Sequence, residues 1–323
     1  MQQAIEHPSV WTGDDLLSRP DWLYTLDQQD IDEVEAMASH QCEDFPRMDK
    51  LLRQIQYDLE NGSGAVMIRG FPVQQMEEEA CKRLFIGSGT VVGTPISQSA
   101  DGDLIFSVRD EGFGEDDPRT RGPNTNKKLS FHTDRCDVIA FLCLKQAKNG
   151  GENQVVSSPA LYNAVRDRRP DLLEVLMSPF YYKRHNVDQG NHSPYCQQPI
   201  FSFCHGVFAA NILRVLIERA HADPSIPNLS DLQIEALDYL ENLSDDPAFH
   251  VTFSQQPGDM LFLNNWVTFH RRTAFEDHDD IAERRHLLRL WLSVPNSREL
   301  DPLFVGNYGA TGAGMIRGGM RKR

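Results

Sequence analysis

After residue 100 the chain is a succession of short apolar or aromatic runs, most of them closed by a turn: DLIFSVRD, VIAFLCLKQA, ENQVVSS, FYYKRH, PIFSFCHGVFAA, FHVTFSQQ, DMLFLNNWVTFH and RHLLRLWLSV. Runs of this length, rich in branched and aromatic residues, read as strands. Helical spacing lies mostly elsewhere. EVEAMASH, FPRMDKLLRQIQYDLENG and MEEEACKRLFIGSG carry it early, the second stopping at Gly62. SPALYNAVRDRRPDLLEVL, with Ser158 as N-cap, Pro159 in the first turn and Pro170 as a break, carries it later, followed by 211–221 and 230–244. This is not the β-α-β alternation of a nucleotide-binding sheet. It predicts a mixed α/β chain with a mainly β core, a sandwich or jelly roll decorated with helices. We read 1–323 as one domain. Residues 1–64 form a helical N-terminal region, 65–295 the β core with a helical insertion near 205–246, and 296–323 a glycine-rich tail.

The bulk numbers narrow the class of function. Forty-seven acids against 32 bases give a net charge of −15, which disfavours a phosphate backbone as partner, so no nucleic acid is expected. No apolar run approaches a membrane span and the start has no apolar signal core. The six cysteines include no CxxC pair. Together these predict a reduced, cytoplasmic protein with free thiols.

One short stretch carries chemistry. In SFHTDRCD, His132 and Asp134 stand two apart, so on extended backbone both face one side and can reach one cation. A third ligand is available in His270, which follows the apolar run opened by Pro-Gly-Asp. Two histidines and one carboxylate suit a non-haem Fe(II) site with open positions. In RRHLLRLWLSV, Arg285, Leu287 and Arg289 alternate onto one face. Two arginines on an otherwise apolar strand are costly unless they meet anions, and a planar guanidinium matches a carboxylate. The alternative is one arginine paired with a protein carboxylate and the other exposed. NGGENQVVSS places Asn153 as a further polar candidate. EGFGEDDPRTRGPNTNKK, residues 111–128, reads as a loop running into His132, either a lid or a solvated surface loop.

The order HTD, GGEN, PGD with a distal histidine, and RxxxR on the last strand resembles the TauD/TfdA family of Fe(II)- and 2-oxoglutarate-dependent dioxygenases, from about Ala65 to Ser293. The resemblance implies a double-stranded β-helix, and iron held by His132, Asp134 and His270. It implies 2-oxoglutarate anchored by Arg285, with Arg284 as the neighbouring alternative. Asn153 stands where relatives often have a threonine that supports 2-oxoglutarate. Arg289 falls where relatives grip an acidic group of the substrate. Asp134 argues against halogenation, since halogenases have a small residue there. The implied reaction consumes O2 and 2-oxoglutarate, releases succinate and CO2, and hydroxylates an unactivated C–H bond of a small acidic or amino-acid-like molecule. Desaturation and ring formation are variants, and a homo-oligomer stays open. His185, His192, Asn264 and Asn265 are further polar candidates. Two rivals remain: a JmjC-like protein hydroxylase, which RxxxR argues against, and a non-catalytic cupin-like metal-binding protein, which leaves Arg285 and Arg289 unexplained.

Overall fold

The computed structural model describes residues 3–39, 45–112, 124–184 and 193–320. His185, His192, Cys42 and most of the 111–128 loop lie outside them. The fold is a jelly roll. Its larger sheet has seven strands, in the order Leu23–Thr25, Ala65–Arg69, Met260–Asn264, Val138–Lys145, His286–Ser293 and Thr94–Ile96, with Ile105–Val108 also pairing to His286–Ser293. Facing it is a three-stranded sheet of His250–Phe253, Asn153–Ser157 and Thr268–Arg272.

Both faces of the large sheet are covered, which is why its strands read as nearly unbroken apolar runs. Val66, Ile68, Val138, Ala140, Met260, Phe262, Leu288 and Leu290 point outward. They pack on residues from the helices Gln28–Ala38, Pro46–Asn61 and Glu78–Val92. Ala65, Met67, Ile139, Leu261 and Trp291 point inward and meet Val155 and Val251 of the small sheet. The outer side of the small sheet, through Val156 and Phe269, is buried under the helices Ser158–Arg168, Pro170–Leu176, Arg214–His221 and Asp231–Asp245.

Three local readings are corrected. The run DMLFLNNWVTFH is two strands in different sheets, Met260–Asn264 and Thr268–Arg272. Asn264 turns the chain between them: its Nδ2 donates to Leu59 O at 2.9 Å, and its Oδ1 accepts from Trp266 N at 2.9 Å. PIFSFCHGVFAA is a hairpin of Phe201–Cys204 and Val207–Ala210, turned at His205 and Gly206, both with positive φ. The N-cap of the helix at 158 is Ser157, whose hydroxyl accepts from Ala160 N at 3.1 Å, while Pro170 does restart the helix.

The glycine-rich tail is tied down. Arg317, buried, donates through Nε to Asp137 at 2.6 Å and through Nη2 to Arg298 O at 2.8 Å. Asp137 also accepts from Trp266 Nε1 and Val294 N. Replacing Arg317 with methionine strands a buried carboxylate, so a loss of about 3 kcal/mol is expected in denaturant unfolding. An unchanged midpoint would mean the indole and backbone donors suffice.

Candidate active site

His132 and His270 face each other through reciprocal backbone bonds, His132 N to His270 O at 3.0 Å and His270 N to His132 O at 3.1 Å. Among the described residues this isolated bridge is the only β pairing of the His132–Asp134 segment, which is not part of a sheet strand. It sets the two imidazoles 4.6 Å apart between centroids. Asp134 reaches them from the side, with Oδ2 3.4 Å from His270 Nε2 and 4.0 Å from His132 Nε2. Asn265 holds this segment: its Oδ1 accepts from Asp134 N at 3.2 Å, and its Nδ2 donates to Cys136 O. Asn265 is thus a buried positioning residue.

The electrostatics of the three groups suit a cation. Burial pushes the His132 imidazole down to about 4, with His270 adding to the effect, so its ring is neutral at pH 7. Its Nδ1 lies 2.9 Å from Ser130 O, which leaves Nε2 facing the cluster. Burial alone would raise the Asp134 carboxyl. The Arg289 guanidinium and the adjacent His270 imidazole outweigh it and hold the group well below the usual carboxylate range. Asp134 Oδ2 is buried without a hydrogen-bond partner. A buried carboxylate oxygen facing two ring nitrogens is a donor set that fits a metal ion.

The cavity beside this cluster is lined by Asn153, Phe141, Arg272, Arg285, Leu287 and Arg289 among others. Arg285 is 2 % exposed, and neither its Nε nor its Nη1 has a partner. Its guanidinium lies 5.2 Å from the Phe275 ring centre, and burial brings its pKa down to about 10. Arg284 instead donates to His278 O at 3.3 Å and does not line the cavity. The alternation on the last strand therefore holds. Arg289 also lines the cavity and meets protein acceptors. Its Nε donates to Gln98 Oε1 at 2.7 Å and its Nη1 lies 3.4 Å from Asp134 Oδ1. Asn153 lines the cavity, but its Nδ2 donates to Gln255 Oε1 at 3.1 Å.

Sequence reading missed Arg272 and Gly151. Arg272 donates to Thr125 O at 2.7 Å and to Lys127 O, tethering the segment that leads to His132. Its guanidinium lies 4.6 Å from the centre of the Phe275 ring, which Arg285 also approaches. Burial and the Arg285 charge push it down to about 9. The signal was the dipeptide Arg271-Arg272 directly after His270, an unusual pair on a strand. Gly151 has φ +77°, and a Cβ there would lie 3.1 Å from Arg285 Nε. Gly151→Ala should therefore cost about 1–3 kcal/mol in stability and raise the KM for 2-oxoglutarate. Thermal melts and initial rates would check both, and an unchanged KM would show that Arg285 needs no such cradle.

The model of the taurine catabolism dioxygenase TauD, TfdA family matches residues 33–291. The chain belongs to the TauD/TfdA family. It is an Fe(II)- and 2-oxoglutarate-dependent dioxygenase, using O2 as co-substrate. FR-33289 synthase of Streptomyces rubellomurinus is 31 % identical over 93 % of this chain and 93 % of that one. Among solved structures, asparagine oxygenase in complex with Fe(II), 2S,3S-3-hydroxyasparagine and succinate superposes with a TM-score of 0.64 at 19 % identity, covering 84 % of this chain and 94 % of that chain. The non-heme iron oxygenase OrfP in complex with Fe and α-ketoglutaric acid gives 0.62 at 16 %, with the same coverages. These two likenesses bear on the fold, and agree with the jelly roll expected for this TauD/TfdA-family member.

Proposed function

We propose that this dioxygenase hydroxylates a small amino-acid-like molecule carrying an acidic group, at a metal held by His132, Asp134 and His270. The observation that carries the assignment is the buried, unpartnered Asp134 Oδ2 facing two imidazole nitrogens. Iron bound there would supply O2 activation coupled to decarboxylation of 2-oxoglutarate, one oxygen atom going to succinate and the other to the substrate.

The chain's own residues do the rest. Arg285 binds the far carboxylate of 2-oxoglutarate, the anion its two unpartnered N–H groups lack. Arg289 steadies Asp134 and keeps it ionised, a role we prefer to direct substrate binding because two of its donor groups already face protein acceptors. Asn153 bounds the cavity. Leu287 and Phe141 keep water from its walls. The amino-acid-like substrate is supported by the two structural neighbours, one holding hydroxyasparagine and another solved with hydroxy-arginine. The five described cysteines are unpaired, and among the described residues no helix is long and apolar enough to cross a membrane. Both fit the cytoplasmic setting we infer.

The test is anaerobic addition of Fe(II) and then 2-oxoglutarate. A visible metal-to-ligand charge-transfer band is expected. Metal-loaded protein that gives no band would favour the non-catalytic metal-binding reading.

A further inference from the structure

Among the described residues, side chains able to hold a metal converge at two places. One is the set of His132, Asp134 and His270; the other is Cys204, His205 and Glu299. In the second group one ligand atom from each residue lies within 4.8 Å of the others. It shares no residue with the first, and the reaction proposed above uses none of its side chains.

The fold brings this second group together. Cys204 ends the strand Phe201–Cys204, and His205 and Gly206 turn the chain into Val207–Ala210. His205 has φ +50° and Gly206 +83°, the pair of left-handed residues that a tight hairpin turn requires. Glu299 arrives from the segment after the last strand, which is fastened to the same hairpin. Arg298 Nη1 donates to Phe208 O at 2.6 Å, and Leu300 shares a buried cluster with Ala209 and Trp266. Glu299 stands between these two buried residues and is itself exposed.

The donor atoms are available. Cys204 is a half-buried free thiol, and His205 is exposed. Among the described residues none of the three side chains makes a hydrogen bond or an ion pair. Burial, and then the carboxylates of Glu299 and Asp301, pushes the Cys204 thiol up. Those two charges attract a cation to the same place, and its binding sends the thiol proton to solvent. A thiolate beside an imidazole selects Zn(II) over Mg(II) or Ca(II). Ligand atoms about 2.0–2.3 Å from one tetrahedral Zn(II) stand roughly 3.3–3.8 Å apart. Rotation of the exposed His205 and Glu299 side chains closes the set to that spacing, with water in the fourth position. We propose that Cys204, His205 and Glu299 form a second metal site, for Zn(II), which fastens the hairpin turn to the segment after the last strand.

The test uses the full chain, reduced and stripped of metal, titrated anaerobically with Co(II). A thiolate bound to Co(II) gives a near-ultraviolet charge-transfer band, which a site of two histidines and one aspartate cannot give. One equivalent of Co(II) is expected to carry that band, and Zn(II) should displace it with a dissociation constant tighter than about 1 µM. Cys204→Ser should remove the band. The other described cysteines, Cys81, Cys136, Cys143 and Cys196, are buried, and Cys42→Ser, the control, should keep it. His205→Asn, which tolerates the same positive φ, and Glu299→Gln should each weaken Co(II) roughly tenfold or more, at least the loss that removing an outer partner of a metal ligand brings. Each variant should retain the Fe(II)–2-oxoglutarate band, since none of these residues lines the iron cavity, and that band shows that it is folded. A missing thiolate band, its survival in Cys204→Ser, its loss in Cys42→Ser or weaker Zn(II) binding would overturn the proposal. A thiolate band in wild type that gives no Fe(II)–2-oxoglutarate band would support this site and overturn the reading of His132, Asp134 and His270 instead.

Discussion

Asp134→Ala is expected to abolish the Fe(II)–2-oxoglutarate band and to lower succinate formation by roughly a thousandfold or more, because one of three ligands and the only negative charge among them is lost. The loss has a structural side. Arg289 would keep Gln98 but lose the carboxylate 3.4 Å away, and a buried guanidinium without its anion is costly. A fall in melting temperature should therefore accompany the loss of iron. Asp134→Asn separates the two effects. The amide keeps the shape, and its oxygen can still accept from Arg289, while the charge goes. The asparagine variant should melt near wild type yet bind iron poorly. Metal content after anaerobic loading, read beside the band, checks this. A full-strength band in Asp134→Ala would remove the carboxylate from the metal set.

How much of this was written in the sequence depended on the range of the interaction. Strand alternation is local, so the inward set Arg285, Leu287 and Arg289 was legible, and the structure places all three on one cavity. The pairing of His132 with His270 was legible as chemistry but not as geometry. The backbone bridge that aligns the rings joins segments far apart in the chain. The switch between sheets at Asn264 and Asn265 was hidden because the apolar run on both sides outweighed the turn preference of the two asparagines. Its partners, Leu59 and Cys136, come from other elements. The same holds for Arg317, whose partner Asp137 is 180 residues away. The protein partners of Arg289 were hidden for a related reason. A sequence can show that an arginine needs an anion, but not whether a protein carboxylate already waits for it.

Arg285 supplies the second large effect, and it has two signs. The side chain is buried, its Nε and Nη1 lack partners, and burial depresses its pKa to about 10. A base whose pKa is lower in the folded state than in the unfolded chain is destabilising while charged. That cost is fully present below about pH 10 and vanishes only above the unfolded value. The protein therefore carries a folding penalty at neutral pH that only an anion can offset. Arg285→Met should relieve it, making the ligand-free protein more stable by about 1–2 kcal/mol, as when buried ionic groups are replaced by apolar ones of similar volume. The same variant should lose roughly a hundredfold to a thousandfold in 2-oxoglutarate affinity, the cost of deleting one partner of a buried bidentate ion pair. Arg285→Lys should fall between, since an ammonium keeps the charge but not the fork. Melting curves with and without 2-oxoglutarate, in the presence of a redox-inert divalent metal, read both signs at once. Wild type should start lower and gain on adding 2-oxoglutarate; the methionine variant should start higher and gain nothing. If both gain equally, the anion that Arg285 lacks is not 2-oxoglutarate.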